Sequence, residues 1–135
     1  MIYLLDSNVW IGLIRKSSPA LAARFLAVAG SADLRVCSVV VAELWHGCAR
    51  SAKPAANRAA LEALIAPFPS LPFDDAAADQ FVTIRRHLES LGQVIGPYDL
   101  QIAAIAVANG CVLVTHNTGE FSRVPGLTIE DWQVV

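Results

Sequence analysis

The chain has 135 residues and is poor in charge, lysine and cysteine: 16% of its residues are Asp, Glu, Lys or Arg, and the cysteines number three. Cys37, Cys48 and Cys111 are odd in number, far apart and outside any C-x-x-C pair, which excludes a disulfide framework and a zinc ribbon and leaves buried thiols as the plain reading. No apolar run approaches the roughly 18 residues of a membrane span. A secretory leader would start basic, whereas the apolar start is broken at once by Asp6, so the expected location is the cytoplasm, with no membrane partner. There is no G-x-S-x-G elbow, no phosphate-binding glycine loop and no dinucleotide fingerprint. A net charge of −2 argues against coating nucleic acid by bulk electrostatics.

The chain is rich in apolar material, 55% by count, enough for one buried core. A single domain over 1–135 is the expectation. Short β-compatible runs, "IYLL", "LRVCS", "PFPSLPF", "CVLVT" and "LTIED", alternate with helical stretches. The first helix, "SNVWIGLIRK", is entered through Ser7 or Asn8 as cap. The second follows Ser18 and Pro19 and stops at Gly30, and the third, "VVVAELWHGCAR", is capped by Ser38. Pro54 opens a fourth. Asp74 or Asp75 caps a fifth, with Phe81, Ile84, Leu88 and Leu91 on one face, and Pro97 starts a sixth that ends at Asn109-Gly110. Strand–helix alternation of this kind predicts an α/β fold, a central parallel sheet of four to five strands between two layers of helices.

Three acids interrupt apolar surroundings: Asp6 in "MIYLLDSNVW", Glu43 in "VVVAELW" and Asp99 in "GPYDLQIAAIAV". In parallel sheets, sites form beyond the carboxyl ends of the strands. Asp6 directly follows the first strand, Glu43 follows the second by about a helical turn, and Asp99 lies in the first turn of the helix before the fourth. "THNTGEF", after the fourth strand, adds the oxygens of Thr115, Asn117 and Glu120 at the same edge. Each acid alone also has a bland explanation: Asp6 as a helix cap, Asp99 as a first-turn acid, Glu43 as a partly exposed helix residue. Together they suit a hard divalent cation, Mg²⁺ or Mn²⁺ rather than zinc, able to acidify a water and neutralise a phosphoryl oxygen. Histidines 46, 87 and 116 do not improve on that scheme. Arg50, Lys53, Arg85, Arg86 and Arg123 are candidate phosphate contacts only.

With these residues in this order, "YLLDSNVWI", "SVVVAELWHG", "PYDLQIAAIAVANG" and "LVTHNTGEFSRVPGLTIEDW", the chain resembles the PIN-domain ribonucleases, specifically the VapC toxins, over nearly its whole length. The resemblance implies a three-layer PIN-like fold and a Mg²⁺- or Mn²⁺-dependent endoribonuclease acting on structured RNA, transfer RNA being a frequent target of such toxins. It implies a homodimer and a cognate VapB-type antitoxin. Family acids fall on Asp6, Glu43 and Asp99. At the fourth position this sequence has Asn117, where many PIN domains place an aspartate, with Glu120 three residues on. Ser7 and Thr115 are the hydroxyls expected to orient the carboxylates. The rival within the same fold is a catalytically silent PIN scaffold that binds RNA or a protein. A phosphate-receiving signalling domain is disfavoured, because it needs a late-strand lysine and the only lysines are Lys16 and Lys53.

Overall fold

The first strand of the chain is the middle strand of the sheet. In the computed structural model, which describes residues 1–30 and 33–134, five strands lie in the order β3-β2-β1-β4-β5. They are β1 (Tyr3–Leu5), β2 (Leu34–Cys37), β3 (Ser70–Leu71), β4 (Val112–Val114) and β5 (Ile129–Glu130). Every pairing is parallel, with Tyr3 beside Leu34 on one edge of β1 and Leu5 beside Val114 on the other. The helices are α1 (Ser7–Arg15), α2 (Pro19–Ala29), α3 (Ser38–Ala49), α4 (Pro54–Ile65), α5 (Asp75–Ser90), α6 (Pro97–Ala108) and the short α7 (Thr118–Phe121). This is the expected α/β sandwich of helices around an all-parallel sheet.

The sheet is buried because its strands are apolar on both faces: Leu4, Leu5, Leu113 and Val114 are all fully buried. Helix α6 is inaccessible around most of its circumference, since Ile102 through Ala106 form one continuous buried run, and it packs against α5. On α1, Trp10 meets Phe25 of α2 and Phe68, with ring centroids 6.0 and 5.8 Å away. Gly12 lets α1 and α2 cross closely; a β-carbon there would come within 3.1 Å of Leu21. Among the described residues no helix is long and apolar enough to cross a membrane.

Three local expectations are corrected. The cap of α1 is Asp6, not Ser7 or Asn8: its carboxylate accepts from the Ser7 amide at 2.8 Å, while Ser7 is already helical. Likewise Ser38 is the first residue of α3, the cap position falls to Cys37, and no side-chain cap bond forms there. Leu91 lies beyond the end of α5 and is exposed, so only Ala77, Ile84 and Leu88 carry that helix's buried face, with Phe81 at its margin. Asp74, one of the two residues proposed for the α5 cap, fills that role through the Ala77 amide at 3.0 Å. Ser18 caps α2 through the Leu21 amide at 3.2 Å, as its Ser-Pro sequence predicts.

Candidate active site

Strand order reverses between β1 and β4, and the side chains leaving those two strands meet. Asp6 is buried, 4% exposed, and its carboxylate is held from two directions. Oδ1 accepts from the Ser7 amide, and Oδ2 accepts from the Thr115 hydroxyl at 3.0 Å. Thr115, itself fully buried, uses the same oxygen to accept from the Asn117 amide at 3.0 Å. Burial nevertheless outweighs these donors, and the Asp6 pKa is raised above the usual carboxylate range.

Glu43 comes from the second turn of α3. Its neighbours Val40 and Leu44 face the core, so part of the side chain is carried inward with them. Oε1 is buried and has no hydrogen-bond partner, one of two such side-chain atoms among the described residues. The Glu43 pKa is raised, first by burial and then by the negative charge of Asp6, while a contact with the Ser7 hydroxyl offsets only part of this. An orphaned buried carboxylate oxygen costs on the order of 1–3 kcal/mol or more, and among the described residues Glu43 forms no ion pair with Lys or Arg.

Asp99 lies in the first turn of α6, where the helix dipole should favour the anion. Its pKa is instead pushed up to about 7 by burial, by hydrogen bonding with Glu120, and by the charges of Asp6, Glu120 and Glu43. Burial is the largest part of this shift against the dipole, and the neighbouring carboxylates add to it. The topology therefore gathers four acids: Asp6 after β1, Glu43 on α3, Asp99 on α6 and Glu120 on α7.

Asn117 stands differently. It is exposed at the start of α7, and its side-chain amide donates to Glu120 Oε2 at 2.9 Å. Glu120 is thus the residue of this loop that reaches Asp99, and Asn117 holds it. The four-residue helix α7 has no apolar periodicity long enough to read from sequence, which is why the loop's acid was harder to place than its asparagine.

Of the remaining candidates, His116 turns to Asp131, Nδ1 to Oδ2 at 2.9 Å, and His87 is exposed on α5. Arg85 and Arg86 both pair with Glu89, at 3.6 and 3.4 Å, and Arg58 pairs with Glu62. All three cysteines are free and buried.

The donor set suits a hard divalent cation: carboxylate oxygens from four elements, one of them orphaned, with neither thiolate nor imidazole among them. Among the described residues no three His, Cys, Asp or Glu side chains already stand in metal-binding geometry. The acids are electrostatic neighbours rather than a preformed cage, and their like charges oppose closer approach.

Comparisons with known proteins bear on the family of the chain. The PIN domain family model matches residues 3–127. The chain is 36% identical to the tRNA(fMet)-specific endonuclease VapC of Shigella flexneri over 130 residues, 96% of this chain and 97% of that one. It is 33% identical to ribonuclease VapC2 of Rickettsia felis over 132 residues, 98% of each. Among solved structures, VapBC2 of Rickettsia felis bound to a promoter DNA fragment superposes with a TM-score of 0.91 at 32% identity, covering 98% of this chain and 99% of that one. DNA-bound VapBC of Salmonella typhimurium gives 0.90 at 35% identity, covering 98% of each.

Proposed function

Because the chain belongs to the PIN-domain family, among the VapC ribonuclease toxins of VapBC toxin–antitoxin systems, we propose that it is a divalent-metal-dependent endoribonuclease acting at its four-acid cluster. The observation that carries this reading is the buried, unpartnered Glu43 Oε1 beside two other acids whose pKa values are raised. Such a grouping destabilises the fold and persists in proteins where a cation relieves it.

Asp6, Glu43 and Asp99 are the residues that would hold Mg²⁺ or Mn²⁺. Bound there, such an ion supplies an acidified water and charge neutralisation at the phosphate. The chain's own contribution is positioning. The Ser7 amide and the Thr115 hydroxyl fix the two oxygens of Asp6, so that this carboxylate cannot swing away from the strand ends. Asn117 does the same for Glu120. Asp99, its pKa raised to about 7, is only partly ionised near neutral pH in the cation-free protein, and a bound cation would favour its carboxylate form.

The substrate proposed is a structured RNA, with transfer RNA favoured by the named activity of the Shigella relative. The acidic balance of the chain fits recognition of one shaped substrate better than indiscriminate binding. The structural neighbours that are VapBC complexes support a VapB-type antitoxin as partner, and we extend the proposal to a homodimer of the toxin.

The test is incubation of the purified, antitoxin-free chain with total cellular RNA in Mg²⁺ or EDTA, beside Asp6→Ala and the shape-preserving Asp99→Asn. Discrete cleavage products that vanish in EDTA and in both variants, each shown to be folded by circular dichroism, are expected. Cleavage surviving EDTA would reject the metal-dependent scheme. Failure of the folded unsubstituted protein to cut any RNA would favour a silent PIN scaffold, the reading that Asn117 in place of an acid keeps in play.

A further inference from the structure

A cavity of about 680 Å³ opens between α3 and α6, directly beside the acid cluster, with Glu43 forming part of its wall. Its volume lies within the roughly 300–1,000 Å³ typical of small-ligand pockets. The lining is unlike the acid cluster. Phe73 and Tyr98 supply aromatic rings, Gln101 a side-chain amide, and Arg50 and His46 stand on the α3 side. Tyr98 is 62% exposed and Phe73 37%, a large aromatic surface to leave uncovered next to a charged centre.

Two features make this a prepared surface. The Phe73 ring is braced edge-on by Phe81 of α5 with centroids 5.9 Å apart, and the Arg85 guanidinium lies 5.8 Å over the Phe81 ring in turn. Phe73 is therefore packed on one side and open to the cavity on the other. Arg50 closes the other side, and among the described residues it forms no ion pair, although Arg58, Arg85 and Arg86 are all tied to glutamates nearby in the chain. A cation without a carboxylate partner, beside two exposed rings and a carboxamide, matches the groups of one nucleotide: phosphate, base face and base edge.

We propose that this cavity is a base-binding subsite for the RNA nucleotide next to the cleaved bond, with Tyr98 and Phe73 stacking on the base, Gln101 at its edge and Arg50 on the flanking phosphate. The proposal rests on the ribonuclease reading for its location. A chain whose phosphodiester reaches the acid cluster must lay a neighbouring nucleotide over the adjoining surface, and the Glu43 wall is shared by both. Recognition by ring stacking requires an unpaired base, because a base within a duplex presents no free face. Tyr98 and Gln101 become residues that set nucleotide preference, while Asp99, between them on the first turns of α6, belongs to the reacting centre.

The experiment is equilibrium binding in EDTA, which separates recognition from cleavage. Fluorescein-labelled short single-stranded RNAs, oligoadenylate and oligouridylate, and an abasic chain of the same length are titrated with the full chain and followed by anisotropy. The unsubstituted protein should bind a base-bearing chain about 5- to 150-fold more tightly than the abasic one, the range that stacking of one base provides. Tyr98→Ala and Phe73→Ala should each remove most of that margin, Tyr98→Phe should keep it, and Arg50→Ala should weaken all three chains alike.

Equal binding of base-bearing RNA by Tyr98→Ala and the unsubstituted chain overturns the subsite. So does a change from dimer to monomer in sedimentation for Tyr98→Ala with RNA affinity unaltered, which would assign the face to a second copy. A parallel incubation with Mg²⁺ keeps the two readings apart. Cleavage with Tyr98→Ala unchanged in affinity and in cut-site preference removes the subsite and leaves the nuclease. A base-dependent margin lost in Tyr98→Ala, without cleavage by the unsubstituted chain, supports the subsite and removes the nuclease.

Discussion

Thr115 and Asp6, 109 residues apart in sequence, are joined by a 3.0 Å hydrogen bond at the ends of the two neighbouring strands β1 and β4. The hydroxyl does double service, because its oxygen also accepts from the amide that opens the α7 loop. One side chain thus fixes both the central acid and the segment bearing Glu120. Thr115→Val, nearly identical in shape, removes both bonds and leaves two groups unpaired. Stability should fall by about 2 kcal/mol in urea titration. Ribonuclease activity should fall by roughly 10- to 100-fold, and Thr115→Ser should recover most of both. Equal activity of the Val variant would show that Asp6 needs no such support.

On the proposed reading, Glu120 fills the fourth position and Asn117 holds it in place. Glu120→Gln should weaken calorimetric Mn²⁺ binding and slow cleavage by roughly 10- to 100-fold. Asn117→Ala, which removes only the hydrogen bond that holds Glu120, should have a several-fold smaller effect on both. A larger loss in Asn117→Ala would return the fourth position to the asparagine.

The acid cluster gives the cation-free protein an unusual pH response. Burial raises the folded-state pKa values of Asp6, Glu43 and Asp99, and neighbouring negative charge raises the latter two further, Asp99 to about 7. Unfolded carboxylates titrate near 4. Between those values the folded chain binds more protons than the unfolded one, so this contribution to stability is fully present at the acid end and is lost as pH rises. In EDTA, the thermal midpoint should therefore drop between about pH 5 and about pH 8, and Mg²⁺ should restore it at the upper end. Glu43→Gln should flatten the slope and raise the midpoint at the upper end by about 3 °C, corresponding to roughly 1 kcal/mol. A midpoint that rises with pH in EDTA would contradict the arrangement.

Element order was legible because the two central strands are short apolar runs that end at a polar residue, "YLL" before Asp6 and "VLV" before Thr115. The Ser18-Pro19 and Pro97 starts could be read directly, since proline at a first helical turn has few other places to go. Caps were less legible. Asp6, Ser7 and Asn8 are all capping residues, and only the geometry at the end of β1 selects among them. The three acids announced themselves by contrast with apolar neighbours. That Glu120 reaches Asp99 depends on a contact between separate elements that no local pattern encodes.

The central place of β1 has a consequence for how the molecule comes into being. Its two edges are covered by segments that emerge far apart, one at residue 34 and the other at residue 112. Until that late strand docks, a nascent chain carries a bare hydrogen-bonding edge at its heart and an Asp6 with no threonine to hold it. The fold thereby postpones assembly of the acid cluster until the fourth strand has been made.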